Sequence, residues 1–283
     1  MSAKPTGGES ESKKTKKKGI HMAKIIPLFS GSKGNAFFVG SGGQGVLIDA
    51  GRSCRQIEQA MTTNNMSMSA IKGIFITHEH TDHCKGLRVL TNRYKLPVFA
   101  SGGTLRALEL ADCLDTNTQT TIIENSVALG DMQITRINTS HDTEESCCYS
   151  ITLSDGRKAV VATDLGVMSP ALRQEISSAN LVLLESNHDV NMLRNGWYPY
   201  SLKRRILSDK GHLSNDSCAA ELADFIKSGC NRVILGHLSQ ENNTPELAAA
   251  TSLCQLQTQG MQQDIDFTLD VAPANLSQFS VVF

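Results

Sequence analysis

The chain has 283 residues, a formal net charge of −1, 40% apolar residues and eight cysteines. No run of eighteen apolar residues occurs, and no basic segment leads into an apolar core, which argues against a membrane-spanning helix or a secretory signal. The cysteines are scattered without a CxxC pair, so reduced thiols in a cytoplasmic chain are expected rather than a disulfide framework.

Residues 1–21 are Lys-, Ser- and Gly-rich without periodicity and are expected to be a disordered leader. His21-Met22 ahead of a strand pattern looks like an expression junction, with Met22 as the natural start. The leader's six lysines and two glutamates leave about −5 on residues 22–283, which read as one α/β domain. Strands are expected near 24–28, 36–39, 45–49 and 71–76, then a helix over 81–94, a strand at 97–100 and a helix near 103–113. Antiparallel strands across 120–163 follow, with Asp155-Gly156 as a hairpin turn. Helices near 168–178, 200–208 and 215–228 and strands near 181–185, 231–236, 265–270 and 278–283 complete the pattern.

The chemistry concentrates in His78-Glu79-His80-Thr81-Asp82-His83, directly after the apolar strand pattern at 71–76. His78 and His80 lie two apart in an extended segment and so share a side. Asp82 and His83 are adjacent and diverge, which suits a second metal. Imidazole nitrogen and carboxylate oxygen without thiolate suit zinc, manganese or iron. His141, Asp164 and His237 each follow a strand pattern, as expected of ligands gathered along one edge of a sheet. Glu79 is expected to point away and brace the loop. Together these residues read as a two-metal hydrolytic site.

HEHTDH, His141, Asp164 and His237 resemble the successive metal-binding motifs of the metallo-β-lactamase fold, with Asp49 as the first of them. More narrowly, SGSKGN at 30–35, LIDAG at 47–51, ATDLG at 162–166, ESNHD at 185–189, GHLSN at 211–215 and HLSQENN at 237–243 are similar to the YycJ/VicX (WalJ) group of bacterial metallohydrolases. The resemblance runs from about residue 24 to the end of the chain. It implies a four-layer αββα sandwich with two divalent ions between the sheets, and a 5′-to-3′ DNA exonuclease linked to repair. By the family pattern, His78, His80 and His141 hold one ion, Asp82, His83 and His237 hold the other, and Asp164 bridges both. A hydroxide between the ions would be the nucleophile. Asp49 is then expected to orient the histidine loop rather than bind metal. His212 resembles the general acid of tRNase Z and β-CASP nucleases, with Glu185 as its carboxylate partner; His188 stays open as a second donor or a phosphate contact.

The partner implied is nucleic acid, at DNA ends, and no membrane. A mildly acidic body does not suit broad DNA coating, but gripping a few terminal nucleotides needs few phosphate contacts. Arg194, Lys203, Arg204, Arg205 and Lys210 flank Trp197, Tyr198 and Tyr200, which reads either as a phosphate-gripping, base-stacking patch or as a solvated helix face. Ser30, Ser32, Lys33 and Asn35 read either as a phosphate-binding lip or as a plain Gly-rich turn. A small-molecule ester, thioester or lactone hydrolase and an RNA-processing nuclease remain the rival readings. The roughly seventy residues between Asp164 and His237 leave no room for a β-CASP insertion.

Overall fold

The computed structural model describes residues 22–283, and the expected leader at 1–21 lies outside them. The first half supplies β1 (Ala23–Phe29), β2 (Ala36–Ser41), β3 (Gln44–Ile48), β4 (Ile71–Phe75), β5 (Val98–Ala100) and β6 (Thr120–Ile122). The second supplies β7 (Ser126–Leu129), β8 (Met132–Asn138), β9 (Cys147–Thr152), β10 (Lys158–Ala162), β11 (Leu181–Glu185), β12 (Arg232–Gly236) and β13 (Thr268–Val271). The final strand, β14 (Val281–Val282), returns to the first sheet, giving the order β14-β1-β2-β3-β4-β5-β6. The second sheet runs β13-β12-β11-β10-β9-β8-β7. In each sheet an antiparallel part, β1–β3 or β7–β10, joins a parallel part, β3–β6 or β10–β13.

The continuous apolar runs are explained by burial on both faces. Val161, Leu183 and Ile234 point between the sheets, with Phe37, Phe75 and Tyr149. Their neighbours Val160, Val182 and Val233 point the other way, into the helices. Helices α1 (Cys54–Thr63), α2 (Thr81–Cys84), α3 (Leu87–Tyr94) and α4 (Gly102–Leu110) lie on the first-sheet side. The second half adds α5 (Pro170–Ser177), α6 (Val190–Asn195), α7 (Tyr200–Ile206), α8 (Asn215–Lys227) and α9 (Pro245–Thr258). Of these, α5, α8 and α9 pack their apolar faces on the second sheet. The result is the expected four-layer αββα sandwich. The Tyr149 hydroxyl donates to the Ile76 carbonyl at 2.8 Å and the Cys147 amide to Thr77 at 3.0 Å, joining the sheets where β4 ends.

Three departures from the sequence pattern have physical causes. The helix expected over 81–94 breaks between α2 and α3, because the chain there meets the loop after β3. Gly86 N donates to Ala50 O at 2.8 Å, and a Cβ on Gly86 would lie 2.0 Å from Arg52 O. The segment 120–122 pairs in parallel with β5 at the edge of the first sheet rather than joining the antiparallel set of the second. Helices α1, α6 and α9 were not foreseen. Helix α1 carries a full capping box between Ser53 and Gln56, whereas the Ala-rich α9 has little contrast between its faces. The Asp155-Gly156 hairpin is present, with Leu153 N donating to Arg157 O at 2.8 Å.

Gly86→Ala is expected to destabilise the fold by about 1–3 kcal/mol through overpacking against the Arg52 carbonyl. Urea unfolding followed by circular dichroism measures it.

Candidate metal centre

The carboxyl ends of the parallel strands supply the site, as open α/β sheets lead one to expect. Asp49 follows β3, His78 lies three residues after β4, Asp164 two residues after β10, Glu185 closes β11 and His237 follows β12. Asp49, Asp164 and His237 adopt φ of 61°, 60° and 55°. Left-handed backbone is uncommon for residues with a Cβ and persists where the surroundings over-determine it. Here it turns each side chain out of its strand line.

The turned side chains meet. Ligand-capable atoms of His78, His80 and His141 lie within 4.8 Å of one another, as do those of Asp82, His83 and His237. The Asp164 carboxylate stands between the two groups. Its Oδ1 lies 3.7 Å from His141 Nε2, and its Oδ2 lies 3.2 Å from His83 Nε2 and 3.4 Å from His237 Nδ1.

Hydrogen bonds behind the cluster aim the rings. His83 Nδ1 is 2.8 Å from Asp49 Oδ2, which leaves Nε2 facing Asp164. His141 Nδ1 donates to the Gly211 carbonyl at 3.0 Å, so its Nε2 is the free lone pair. Thr77 Oγ donates to Asp49 and lies 3.0 Å from His78 Nδ1, so one buried carboxylate orients two histidines. Such carboxylate–histidine pairs are what hold metal-ligating imidazoles in their binding tautomer.

The donor set fits a divalent cation. His78 Nε2, Asp164 Oδ2 and His237 Nδ1 are buried without a well-formed hydrogen bond, Asp164 Oδ2 having only the His83 and His237 ring nitrogens at 3.2 and 3.4 Å. Each unsatisfied buried polar atom costs about 1–3 kcal/mol, and a divalent ion bound among them would relieve all three. Burial, and then the neighbouring His83 charge, hold His78 well below the ordinary histidine range, in the neutral form a metal requires. Burial opposes the charge on Asp164, but the His237 and His83 rings outweigh it and keep the carboxylate well below its usual range.

A cleft of about 480 Å³ opens over the cluster, lined by His80, Asp82, His141, Asp164 and His237 and walled by His212, Tyr198 and Arg205. His212 Nδ1 is 2.7 Å from Glu185 Oε1, while Glu185 Oε2 accepts the Leu165 and Leu213 amides at 2.7 and 3.1 Å. Burial alone would lower the His212 pKa, but the Glu185 carboxylate, and then Asp164, raise it to about 9. The GHLSN and HLSQENN segments carry a buried amide pair. Asn215 Nδ2 donates to Asn243 Oδ1 at 2.9 Å and Asn243 Nδ2 to Asn215 Oδ1 at 2.8 Å. Asn243 also donates to the Ser186 and Asn187 carbonyls, so three loops are locked together beneath His212 and His237.

Several expected substrate contacts fall elsewhere. Ser32 lines the cleft and Arg205 reaches it, paired with Asp142. Lys33 is exposed and lines a neighbouring cavity instead. Asn35 is fully buried, with Oδ1 accepting Gly31 N at 2.9 Å and Nδ2 lying 3.1 Å from His83 Nε2, so it props the loop rather than facing substrate. His188 is buried off the cleft, and burial drives its pKa down to about 4. Arg204 stacks on Tyr200 at 6.0 Å, away from the cluster. Half-buried Glu79 accepts the Glu144 amide at 2.9 Å and so ties the histidine loop to the 141–146 segment. Thr77 was overlooked, although a lone hydroxyl ending an apolar strand just before the histidines was a readable signal.

The chain matches the model of the β-lactamase superfamily domain over residues 44–238, which spans the cluster from Asp49 to His237. It is 40% identical to the exodeoxyribonuclease YycJ of Bacillus anthracis, across 81% of this chain and 86% of that one. It is 36% identical to the exodeoxyribonuclease WalJ of Streptococcus pneumoniae, across 87% and 93%. The metallo-β-lactamase fold protein YhfI of Bacillus subtilis superposes with a TM-score of 0.66 over 93% of this chain and 100% of that one, at 14% identity, a likeness of fold alone. With this sandwich and this donor cluster, the chain belongs to the β-lactamase superfamily, as a metal-dependent hydrolase of its YycJ/WalJ group.

Proposed function

We propose that the protein is a dinuclear-metal phosphodiesterase that removes nucleotides from DNA as a 5′-to-3′ exonuclease. The observation that carries this reading is the Glu185–His212 pair, a positioned proton donor beside a nitrogen and oxygen donor cluster. The names of the relatives at 36–40% identity support a DNA substrate. Eight free thiols fit a reducing compartment.

His78, His80 and His141 would hold one divalent ion and Asp82, His83 and His237 the other, with Asp164 shared. Zinc, manganese or iron bound there lowers the pKa of water and offsets charge building on a phosphoryl group. The chain's own residues do the rest. Asp49, Thr77 and the Gly211 carbonyl fix the ring orientations. Glu185 occupies His212 Nδ1 and keeps the imidazole protonated, so Nε2 can give its proton to the departing 3′-oxygen as the P–O bond breaks. Arg205 and Tyr198 at the cleft wall can grip a phosphate and stack a base.

The test is degradation of duplex DNA labelled separately at its 5′ and 3′ ends, with added manganese. Early short products from the 5′ label are expected; turnover of a small ester but not DNA would overturn the nuclease reading. Asp164→Ala is expected to abolish turnover and lower metal content. His212→Ala is expected to slow turnover by about 10²–10⁴-fold with metal content kept. A raised His212 pKa means the acid form is lost as pH rises, so the wild-type rate should fall on the alkaline side. Bound cations move that limb to lower pH, and it should vanish in His212→Ala. Thr77→Val is expected to weaken metal binding by about 10–100-fold, measured by competition with a chelating dye.

A further inference from the structure

Ser239 lines the metal cleft and also a second cavity of about 490 Å³ on its far side. The walls of this cavity are the 30–33 turn, Arg52, the 238–245 loop and the 271–275 segment. Lys33 and Arg52 line it and no carboxylate does. In a body that carries about −5 outside its leader, this is a local reversal of charge.

Neither cation is committed to a carboxylate among the described residues. Lys33 is exposed and has no ion pair or hydrogen bond there. Arg52 is held in place by neutral partners. Its guanidinium lies 5.1 Å from the Phe29 ring centroid and donates from Nη2 to the Ala274 carbonyl at 3.3 Å, while its buried Nε has no partner. Its stem packs on Gly34, where φ is 151° and a Cβ would lie 2.6 Å from Arg52 Cδ. An arginine pre-positioned in this way loses little side-chain freedom when it meets an anion.

The cavity is tied rigidly to the metal cluster. Ser30 Oγ accepts the His237 amide at 2.8 Å. Asn35, at the other end of the same turn, lies 3.1 Å from His83 Nε2 and accepts the Gly31 amide. An anion held by Lys33 and Arg52 therefore sits at a set position relative to two histidines of the cluster. A nucleic-acid strand carries anions at regular intervals, and a strand lying in the metal cleft can extend past Ser239, which the two cavities share.

We infer that this cavity is a phosphate subsite, in which Lys33 and Arg52 bind a phosphate flanking the reacting phosphodiester. The inference rests on the nuclease reading above. Charge-assisted contacts of this kind add ground-state affinity for the strand and leave the reacting group untouched.

The test compares wild type with Lys33→Ala, Lys33→Glu and Arg52→Gln, with thermal unfolding as the control for Arg52. For DNA, KM should rise about tenfold, the loss expected of one charge-assisted contact, with kcat within about twofold. The salt dependence of binding should fall by about one ion, and Lys33→Glu should be worse than Lys33→Ala. Bis(4-nitrophenyl) phosphate has no second phosphate, so its turnover should be unchanged. A penalty limited to 5′-phosphorylated ends identifies a terminal phosphate; one shared with 5′-hydroxyl ends identifies an internal phosphate. Binding of a phosphorothioate pentanucleotide to the metal-loaded protein is read in parallel. Wild type that binds without cleaving DNA would sink the exonuclease reading, whereas Lys33→Ala that binds as tightly as wild type would sink the subsite.

Discussion

Much of the centre hangs on the buried ring of His83, which three carboxylates share. Asp49 lies 2.8 Å from its Nδ1, and Asp164 and Asp82 lie 3.2 and 3.5 Å from its Nε2. Burial works against charge on the ring, but Asp164, then Asp49 and Asp82, raise its pKa well above the ordinary histidine value. The carboxylates around the ring thus favour its protonated form. A divalent ion held by this ring would have to displace that proton, which would couple metal affinity to pH. Asp49 stays on the Nδ1 side in either state, and its own pKa is raised by burial despite His83 and Thr77.

Holding like charges together demands a stiff frame, and the frame is interlaced backbone. Asn35 N donates to Asp82 O, Ala50 N to His83 O and Gly51 N to Asn35 O, each at 2.8 Å, so the 31–35, 49–52 and 80–86 loops form one unit. On the other sheet, Asn187 Nδ2 donates to the His237 carbonyl at 2.9 Å, and the Asn215–Asn243 pair closes the network. Buried amides satisfied on both sides make few alternatives available to these loops. The two units meet where Ser30 caps the His237 amide. Catalytic geometry and the adjoining cationic cavity are consequently set by the same loops.

Exposure is distributed in keeping with this division. Helix α7 buries none of its residues, yet Arg205 and Leu202 from it wall the cleft; its first residue Tyr200 and the nearby Trp197 are 77% and 75% exposed. A loosely packed helix therefore borders the cleft, while Asp164, Glu185 and His237 stand at the ends of strands that are almost fully buried.

Sequence patterns determined the α/β class, most of the strands and the His and Asp residues that follow them, because apolar runs mark doubly buried strands and such residues at their ends are recognisable one by one. The four-layer arrangement and the shared ligand set came from the family resemblance of those motifs. Tertiary structure alone decided the break at Gly86, because the obstacle is a carbonyl 34 residues earlier in the chain, at Arg52. It decided too that Asn35 and His188 are buried, that Arg205 faces the cleft while Arg204 does not, and that Lys33 and Arg52 line one separate cavity. Which neighbouring side chain turns inward depends on contacts between distant segments, and residue type and spacing carry no record of those contacts.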